Sequence, residues 1–416
     1  MLDKNIVFRI FEESKEKYKI PLKKRLLFDS IIPVLNYKEA LVLSGVRRCG
    51  KTSLMFALMQ YLDGQKEVHS KVYINFEDER LAFIEPKDLD LLIEYYLEFE
   101  NPKGKVYFFF DEIQNVPLWE KWVSRLYEKY KFILSGSNAK LLSSDLASAL
   151  TGRYKEFRVY PFSFKEFVGE FKLNNTIESN AKAKRLFGEF VIRGGFPESL
   201  LFNKTDLLQE YYRNILLKDV IGRYNIKYKS LIEKLSLFIL SNIGKTISLY
   251  SLEKNYDAGI NTIKNYIGYL ESSFLIFSID LFAFSIKKQQ NSPSKFFAVD
   301  IALAQSVSFE FTKNDGRKLE NIVLIELKSK CNEIYYYKEK FECDFIIKKG
   351  LNIVEAIQVC YQLNEENKVR EISGLIDACK THNLKEGLLL TFDEEEIFQK
   401  DDIKIEVKPV WKWLLE

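Results

Sequence analysis

Histidine is nearly absent: His69 and His382 are the only two in 416 residues, and they stand far apart. The five cysteines (Cys49, Cys331, Cys343, Cys360, Cys379) show no Cys-x-x-Cys spacing. This argues against a zinc site and against a disulfide framework. An excess of one charge sign is also lacking. The net charge is +3, from 62 Lys and Arg against 59 Asp and Glu. No global basic field attracts nucleic acid, so any such partner must be met by a local patch. Long apolar runs are missing as well. "VYFFF", Val106 to Phe110, is far shorter than the ~20 residues of a membrane span, so no membrane partner is expected. The opening stretch "MLDKNIVFRIFEESKEKYKI" is charged throughout and has no signal-peptide core. Cys49 lies within a glycine-rich stretch, where an oxidising compartment would be a hazard. The expected location is therefore cytoplasmic.

What is present is enough apolar material for a core: 47% hydrophobic residues beside 29% charged, the balance of a soluble globular chain. At roughly 100–200 residues per domain, the length predicts two to four domains. No repeat and no low-complexity tract interrupts it.

The first 160 residues read as alternating strands and helices. After a mixed-charge helical start come the strands "EALVLSG", "KVYINF", "KVYFFFDE", "KFILSGS" and "YKEFRVY". Amphipathic helices such as "KTSLMFALMQYL" and "LWEKWVSRLYEKY" lie between them. Such alternation predicts βα units and a parallel sheet. It stops near Pro161. Residues 162–225 read as helical, interrupted by "RGGFPE". Residues 230–290 read as short helices closed by a strand hairpin in "FLIFSIDLFAFSI". Past "NSPS" a further region is expected to open with helices and continue with "EIYYYKE", "ECDFIIKK", "NIVEAIQVCY", "GLLLTF" and "IKIEVKPV" as strands.

One stretch carries the chemistry. Gly45, Val46, Arg47, Arg48, Cys49, Gly50, Lys51 and Thr52 fit Gly-x-x-x-x-Gly-Lys-Ser/Thr, with Ser53 following, between a strand and a helix. The glycines let successive backbone N–H groups face phosphate oxygens, and the helix start adds its positive dipole end. In this pattern Lys51 reaches the terminal phosphates and the Thr52 hydroxyl serves Mg²⁺. Asp111 closes an apolar strand, the place of a second metal support. Glu112, beside it, is placed to orient the attacking water and accept its proton. Ser135 and Asn138 in "SGSN" are candidates for contact with the γ-phosphate or that water. Arg153 in "TGRY" is a candidate phosphate-sensing arginine, in cis or in trans. No guanine-reading Asn-Lys-x-Asp motif is found among the first 160 residues, where the strands and the phosphate loop lie, which favours adenine and so ATP.

These stretches, with "YINFEDERL", "FFFDEIQNVPLWEKWV", "LTGRYKEFRVYPFSFKEF", "RGGFPE", "LENIVLIEL", "CDFII", "IQVCY" and "VWKWLLE", resemble a family. The sequence is similar to prokaryotic AAA-superfamily ATPases that join an N-terminal P-loop module to a C-terminal domain of unknown function, from about Arg25 to the end. The resemblance implies an α/β AAA-type P-loop NTPase core, with an extra strand between the strands bearing the loop and the acids. It also implies a winged helix followed by a small restriction-endonuclease-like domain. The expected boundaries are 1–160 for the ATPase core with its N-terminal helices and 161–228 for a helical lid or linker. The winged-helix-like domain is expected over 229–290 and the endonuclease-like domain over 291–416.

The winged helix is also readable from the residues. "TISLYSLEKNYDAGINTIKNYIGYLESSFLI" has helix-turn-helix spacing around Asp257-Ala258-Gly259. It turns Asn261, Lys264 and Asn265 outward as candidate DNA contacts, although such modules also bind proteins. A nuclease of the endonuclease-like fold needs an acidic pair, a further acid and a lysine around a divalent ion. Glu320 and Asp344 match the acid positions. Gln358 and Cys360 stand where Glu-x-Lys belongs, which predicts a degenerate site.

The leading expectation is an Mg-dependent ATPase that couples hydrolysis to conformational change on a macromolecule. The rivals are an ATP-bound switch with negligible turnover and an ATP-gated DNA nuclease.

Overall fold

The computed structural model describes residues 2–65, 70–139, 152–174, 176–202, 205–308 and 315–416. His69 and Thr151 lie outside the described residues. The chain divides into two compact units, Met1–Tyr160 and Pro161–Glu416.

The first unit is built on a five-stranded sheet of β1 (Ala40–Ser44), β2 (Ser70–Asn75), β3 (Val106–Asp111), β4 (Lys131–Gly136) and β5 (Tyr154–Arg158). All pairs are parallel, in the order β2-β3-β4-β1-β5. β4 thus separates β3, which ends on Asp111, from β1, which leads into the glycine-rich loop. Every residue of β1, β3 and β4 is buried, as expected for central parallel strands covered on both faces. On one face the helices α1 (Lys4–Lys17), α4 (Pro86–Glu100) and α5 (Trp119–Leu126) supply Phe11, Tyr96 and Trp122 to a core with Phe108, Phe110 and Phe132. Two of these helices start where side chains satisfy backbone N–H groups. Asp3 accepts from Asn5 and Ile6, while Glu85 and Asp88 form a capping box behind Pro86. Lys131 is buried at the start of β4 and donates to the carbonyls of Val34 (2.9 Å), Tyr37 (3.0 Å) and Glu39 (2.6 Å). It closes the chain segment that enters β1.

The second unit begins with helices Phe164–Val168, Ile177–Arg193, Pro197–Phe202 and Thr205–Asn214, then a π-helical segment, Ile215–Gly222. The glycines of "RGGFPE" have a packing reason. Gly195 donates its N–H to the buried Asp300 carboxylate at 2.7 Å, and a Cβ on Gly194 would run into the same carboxylate. Helices Leu249–Tyr256 and Ile260–Ser272 follow, joined through Asp257 in the left-handed region. Beside them lies a three-stranded antiparallel sheet of β6 (Thr246–Ile247), β7 (Ile276–Ile279) and β8 (Ser294–Ala298), in the order β6-β8-β7.

Two expectations are corrected here. "FLIFSIDLFAFSI" is not a hairpin. Only Ile276–Ile279 is strand, Leu281 makes an isolated bridge to Tyr336, and Ser285 caps a helix over Ile286–Asn291. The region after residue 291 opens with strand β8, not a helix, and β8 pairs back with β7 across the expected boundary. Helices Ile301–Val307 and Asp315–Lys330 come next.

A six-stranded mixed sheet completes the unit: β9 (Ile334–Lys338), β10 (Glu342–Lys349), β11 (Asn352–Val359), β12 (Glu386–Thr391), β13 (Glu396–Lys400) and β14 (Ile403–Pro409). Its order is β13-β14-β12-β11-β10-β9. Helix Lys368–Thr381 packs on it, with Gly374 so close to the Glu342 carbonyl that a Cβ would collide. Edge strand β13 was not readable as a strand: its sequence is polar and it is largely exposed. Among the described residues no helix is long and apolar enough to cross a membrane.

Candidate functional site

In a parallel α/β sheet the loops at the carboxyl ends of the strands form the ligand crevice. Gly45 to Gly50 lie there, between β1 and helix α3 (Lys51–Asp63). Gly45 must be glycine because a Cβ would meet the carbonyl oxygen of Val159. Gly50 caps α3 at φ 99°, a left-handed value costly for other residues. Arg48 also takes positive φ, at 70°. Arg47 reaches out of the loop and makes a bidentate pair with Glu77, at 3.0 and 2.6 Å. Cys49 is fully buried, and burial pushes its thiol pKa up, so it is an inert part of the loop.

Lys51, Thr52, Asp111 and Glu112 come together as the spacing predicts. The Lys51 ammonium lies over the carbonyls of Gly45 (3.0 Å) and Val46 (3.2 Å), and 3.6 Å from Glu112 Oε1. Thr52 donates to Asp111 Oδ2 at 2.6 Å. Ser53, next on α3, is exposed. Ser135, at the end of β4, bridges the two acids: its hydroxyl donates to Asp111 and receives the Glu112 N–H at 3.1 Å. Glu112 also accepts from the Gln114 amide and from the Ser137 N–H, the latter at 3.3 Å. Asn138 is buried just past that strand end.

The two acids are electrostatically different. Burial and the neighbouring Glu112 charge push Asp111 above the usual carboxylate range. Burial pushes Glu112 up too, but Lys51, Gln114 and Arg47 outweigh it and hold Glu112 low. A threonine hydroxyl and an aspartate carboxylate are the hard oxygen donors that Mg²⁺ takes, so the residues present fit that ion.

Two members of the site escaped the sequence reading. Tyr73, on β2, donates its phenol to Asp111 Oδ2 at 2.8 Å. Arg25 donates to the carbonyls of Cys49 (2.9 Å) and Tyr160 (2.7 Å), closing the loop from behind. The signal for Tyr73 was a tyrosine between Val72 and Ile74 in the strand next to the acidic one; Arg25 left none.

Arg153 stands at the opposite end of β1 from the loop. Its backbone carbonyl accepts from Ala40, at the start of β1. The guanidinium bonds Ser124 and lies 5.5 Å from the Tyr127 ring centre. At about 3.3 Å per residue, the length of β1 keeps it more than 10 Å from the loop.

In the second unit Asn261, Lys264 and Asn265 are all exposed on the helix Ile260–Ser272, on the face opposite buried Ile263, Tyr266 and Ile267. Glu320, Asp344, Gln358 and Cys360 line one cavity of about 810 Å³. Gln358 accepts from the Asp344 N–H at 3.1 Å and donates to Glu371 at 2.6 Å. Cys360 is buried, and burial pushes its thiol pKa up, so it supplies no charge. The cation here is one the sequence reading missed, Lys295 of β8. Its ammonium sits 2.9 Å from Asp344, 2.9 Å from Glu342 and 3.9 Å from Glu320. Burial and the Asp344 charge raise Glu320 to about 8. Among the described residues no His, Cys, Asp and Glu side chains are grouped to hold a metal ion. The Lys295 ammonium takes the space between the acids of this cavity.

The five-stranded parallel sheet, with the loop and the acids at one end of it, defines an AAA-type P-loop domain. Residues 37–168 match the family model described as an AAA domain, and residues 184–314 match a domain of unknown function, DUF8612. The chain is 36% identical over 445 aligned residues to the uncharacterised protein MJ1544 of Methanocaldococcus jannaschii, covering 100% of this chain and 96% of that one. It belongs to that protein's family. An uncharacterised protein of Haemophilus influenzae is 29% identical over 389 residues, covering 90% of this chain and 94% of its own length. Among solved structures, the Hsp104–ADP complex of S. cerevisiae matches with a TM-score of 0.33 and 14% identity, over 64% of this chain and 40% of that one. AMPPCP-bound DnaA from Aquifex aeolicus matches with a TM-score of 0.25 and 16% identity, over 62% of this chain and 90% of its own.

Proposed function

We propose that the chain is an Mg²⁺-dependent ATPase that couples ATP binding and hydrolysis to conformational change on a macromolecular partner. The observation that carries this is the pairing of Glu112 with Lys51 and of Asp111 with Thr52 at one strand end.

The N–H groups of Gly45 to Thr52 cradle the phosphates, and Lys51 neutralises the terminal ones. Thr52 and Asp111 would hold Mg²⁺, which would supply charge neutralisation at the phosphates. Glu112 orients water and accepts its proton, while Ser135 fixes both acids. When Lys51 leaves Glu112 for the phosphates, the cation that keeps Glu112 acidic is withdrawn. Glu112 then becomes a better base as nucleotide binds. The partner, DNA or protein, is met through the exposed Asn261, Lys264 and Asn265.

An ATP-held switch would not need Glu112, and an ATP-gated nuclease would need a metal that Lys295 displaces. Steady-state phosphate release, with and without DNA, tests the reading. Turnover that falls in Glu112→Gln supports it. Phosphate release no higher than in Lys51→Ala overturns it in favour of the switch.

A further inference from the structure

The second unit contains a charge arrangement independent of the ATPase reading. Glu320 comes from the helix Asp315–Lys330, Glu342 and Asp344 from β10, and Lys295 from β8. Lys295 is 2% exposed, and its ammonium contacts two of the three carboxylates at 2.9 Å and the third at 3.9 Å. The other oxygen of Asp344 is taken by the Val359 N–H at 3.0 Å. A buried ammonium is tolerated only when it is paired, and here all three of its ionic partners are acids of one cavity. Divalent ions sit about 2.0–2.6 Å from carboxylate oxygens. The Lys295 nitrogen, at 2.9 Å from two of them, therefore fills the point such an ion would occupy. The two cations exclude each other by volume and by charge.

We propose that Lys295 is the resident cation of this carboxylate cluster, standing in the place of a divalent metal, and that removing its charge turns the cluster into a metal site. The lysine ties β8 of the three-stranded sheet to β10 of the six-stranded sheet, a role a bridging metal ion plays in other folds. The same cavity is also lined by Arg317, Lys340 and Arg370. Methionine is the informative replacement, since it keeps the length of the lysine stem and deletes the ammonium. The carboxylates are left with a vacant centre and need a cation from solution.

The test uses the full chain without nucleotide and Mn²⁺ as the probe, with binding followed by the loss of the free-ion electron paramagnetic resonance signal. The wild-type protein and Asp344→Asn should give the same titration. Lys295→Met should gain a saturable site that Lys295→Met/Asp344→Asn lacks, and Mn²⁺ should raise the Tm of Lys295→Met but not of wild type. If Lys295→Met does not fold in metal-free buffer, refolding in Mn²⁺ becomes the readout, and recovery of the folded protein supports the proposal. An Asp344-dependent Mn²⁺ site in the wild type overturns it. So does a folded Lys295→Met with no new site, or an unfolded one that Mn²⁺ does not restore.

Discussion

Tyr73 gives its phenol proton to the same carboxylate oxygen of Asp111 that receives the hydroxyl of Thr52, at 2.8 and 2.6 Å. Two elements, β2 and the start of α3, thereby fix one oxygen of the acid on β3. Tyr73→Phe should keep the packing against Phe56 and lose only this bond. A net hydrogen bond is worth about 0.5–1.5 kcal/mol. We expect a stability loss of that order, with a larger Mg²⁺ requirement for phosphate release. An unchanged Mg²⁺ dependence would mean that Asp111 holds its position without the tyrosine.

Lys51→Ala should abolish nearly all turnover and most nucleotide affinity, because charge stabilisation of this kind contributes at least ~3 kcal/mol. Folding should change little. Titration with a fluorescent ATP analogue beside a thermal melt checks both parts, and wild-type hydrolysis in this variant would remove the loop from the mechanism.

Asp111→Asn and Glu112→Gln should separate cleanly. The first should weaken Mg²⁺ dependence and nucleotide binding together. The second should retain Mg-ATP and lose about 10²–10⁴-fold in rate, the contribution of a positioned proton acceptor. Equilibrium binding and single-turnover hydrolysis tell them apart, and loss of ATP binding in Glu112→Gln would show the roles reversed.

The sequence disclosed the parts of this site that lie along the chain and hid those that lie across it. Gly45 to Thr52 are contiguous, and Asp111-Glu112 end an apolar strand, so local pattern and period sufficed. The core strands of the parallel sheet were legible for the same reason. Tyr73, Arg25 and Lys295 act through partners 38, 24 and 49 residues away, and no periodicity records such a meeting. Lys295 left little trace, since it stands between the polar "NSPS" stretch and the apolar run that starts at Phe296. Arg153 directly precedes β5, which in a parallel sheet puts its backbone at the amino end, opposite the glycine-rich loop that follows β1. The β7–β8 pairing failed in the opposite direction. A helix stands between the two strands, so the apolar run around residue 280 read as a local hairpin.

Lys131 supplies a pH test of the first unit. Burial lowers its pKa from 10.5 to about 8. Between those values the unfolded chain holds the proton and the folded chain does not, so stability should rise as pH increases from about 8 to 10.5, by at most about 1.4 kcal/mol per unit. Lys131→Met should remove that slope and lower stability overall, since three carbonyls lose their donor. Urea unfolding at pH 8 and pH 10 on both proteins measures it, and parallel slopes would refute the assignment.

Arg25 bears on where the working ATPase begins. The AAA family match starts at residue 37, yet the guanidinium that closes the carbonyls of Cys49 and Tyr160 belongs to a residue 12 positions earlier and only 6% exposed. A fragment cut at the family boundary would retain every phosphate-facing group and still leave the rear of the loop without its donor. The glycine-rich loop of this protein therefore leans on residues ahead of its recognisable domain, and that leading segment is a strut of the loop.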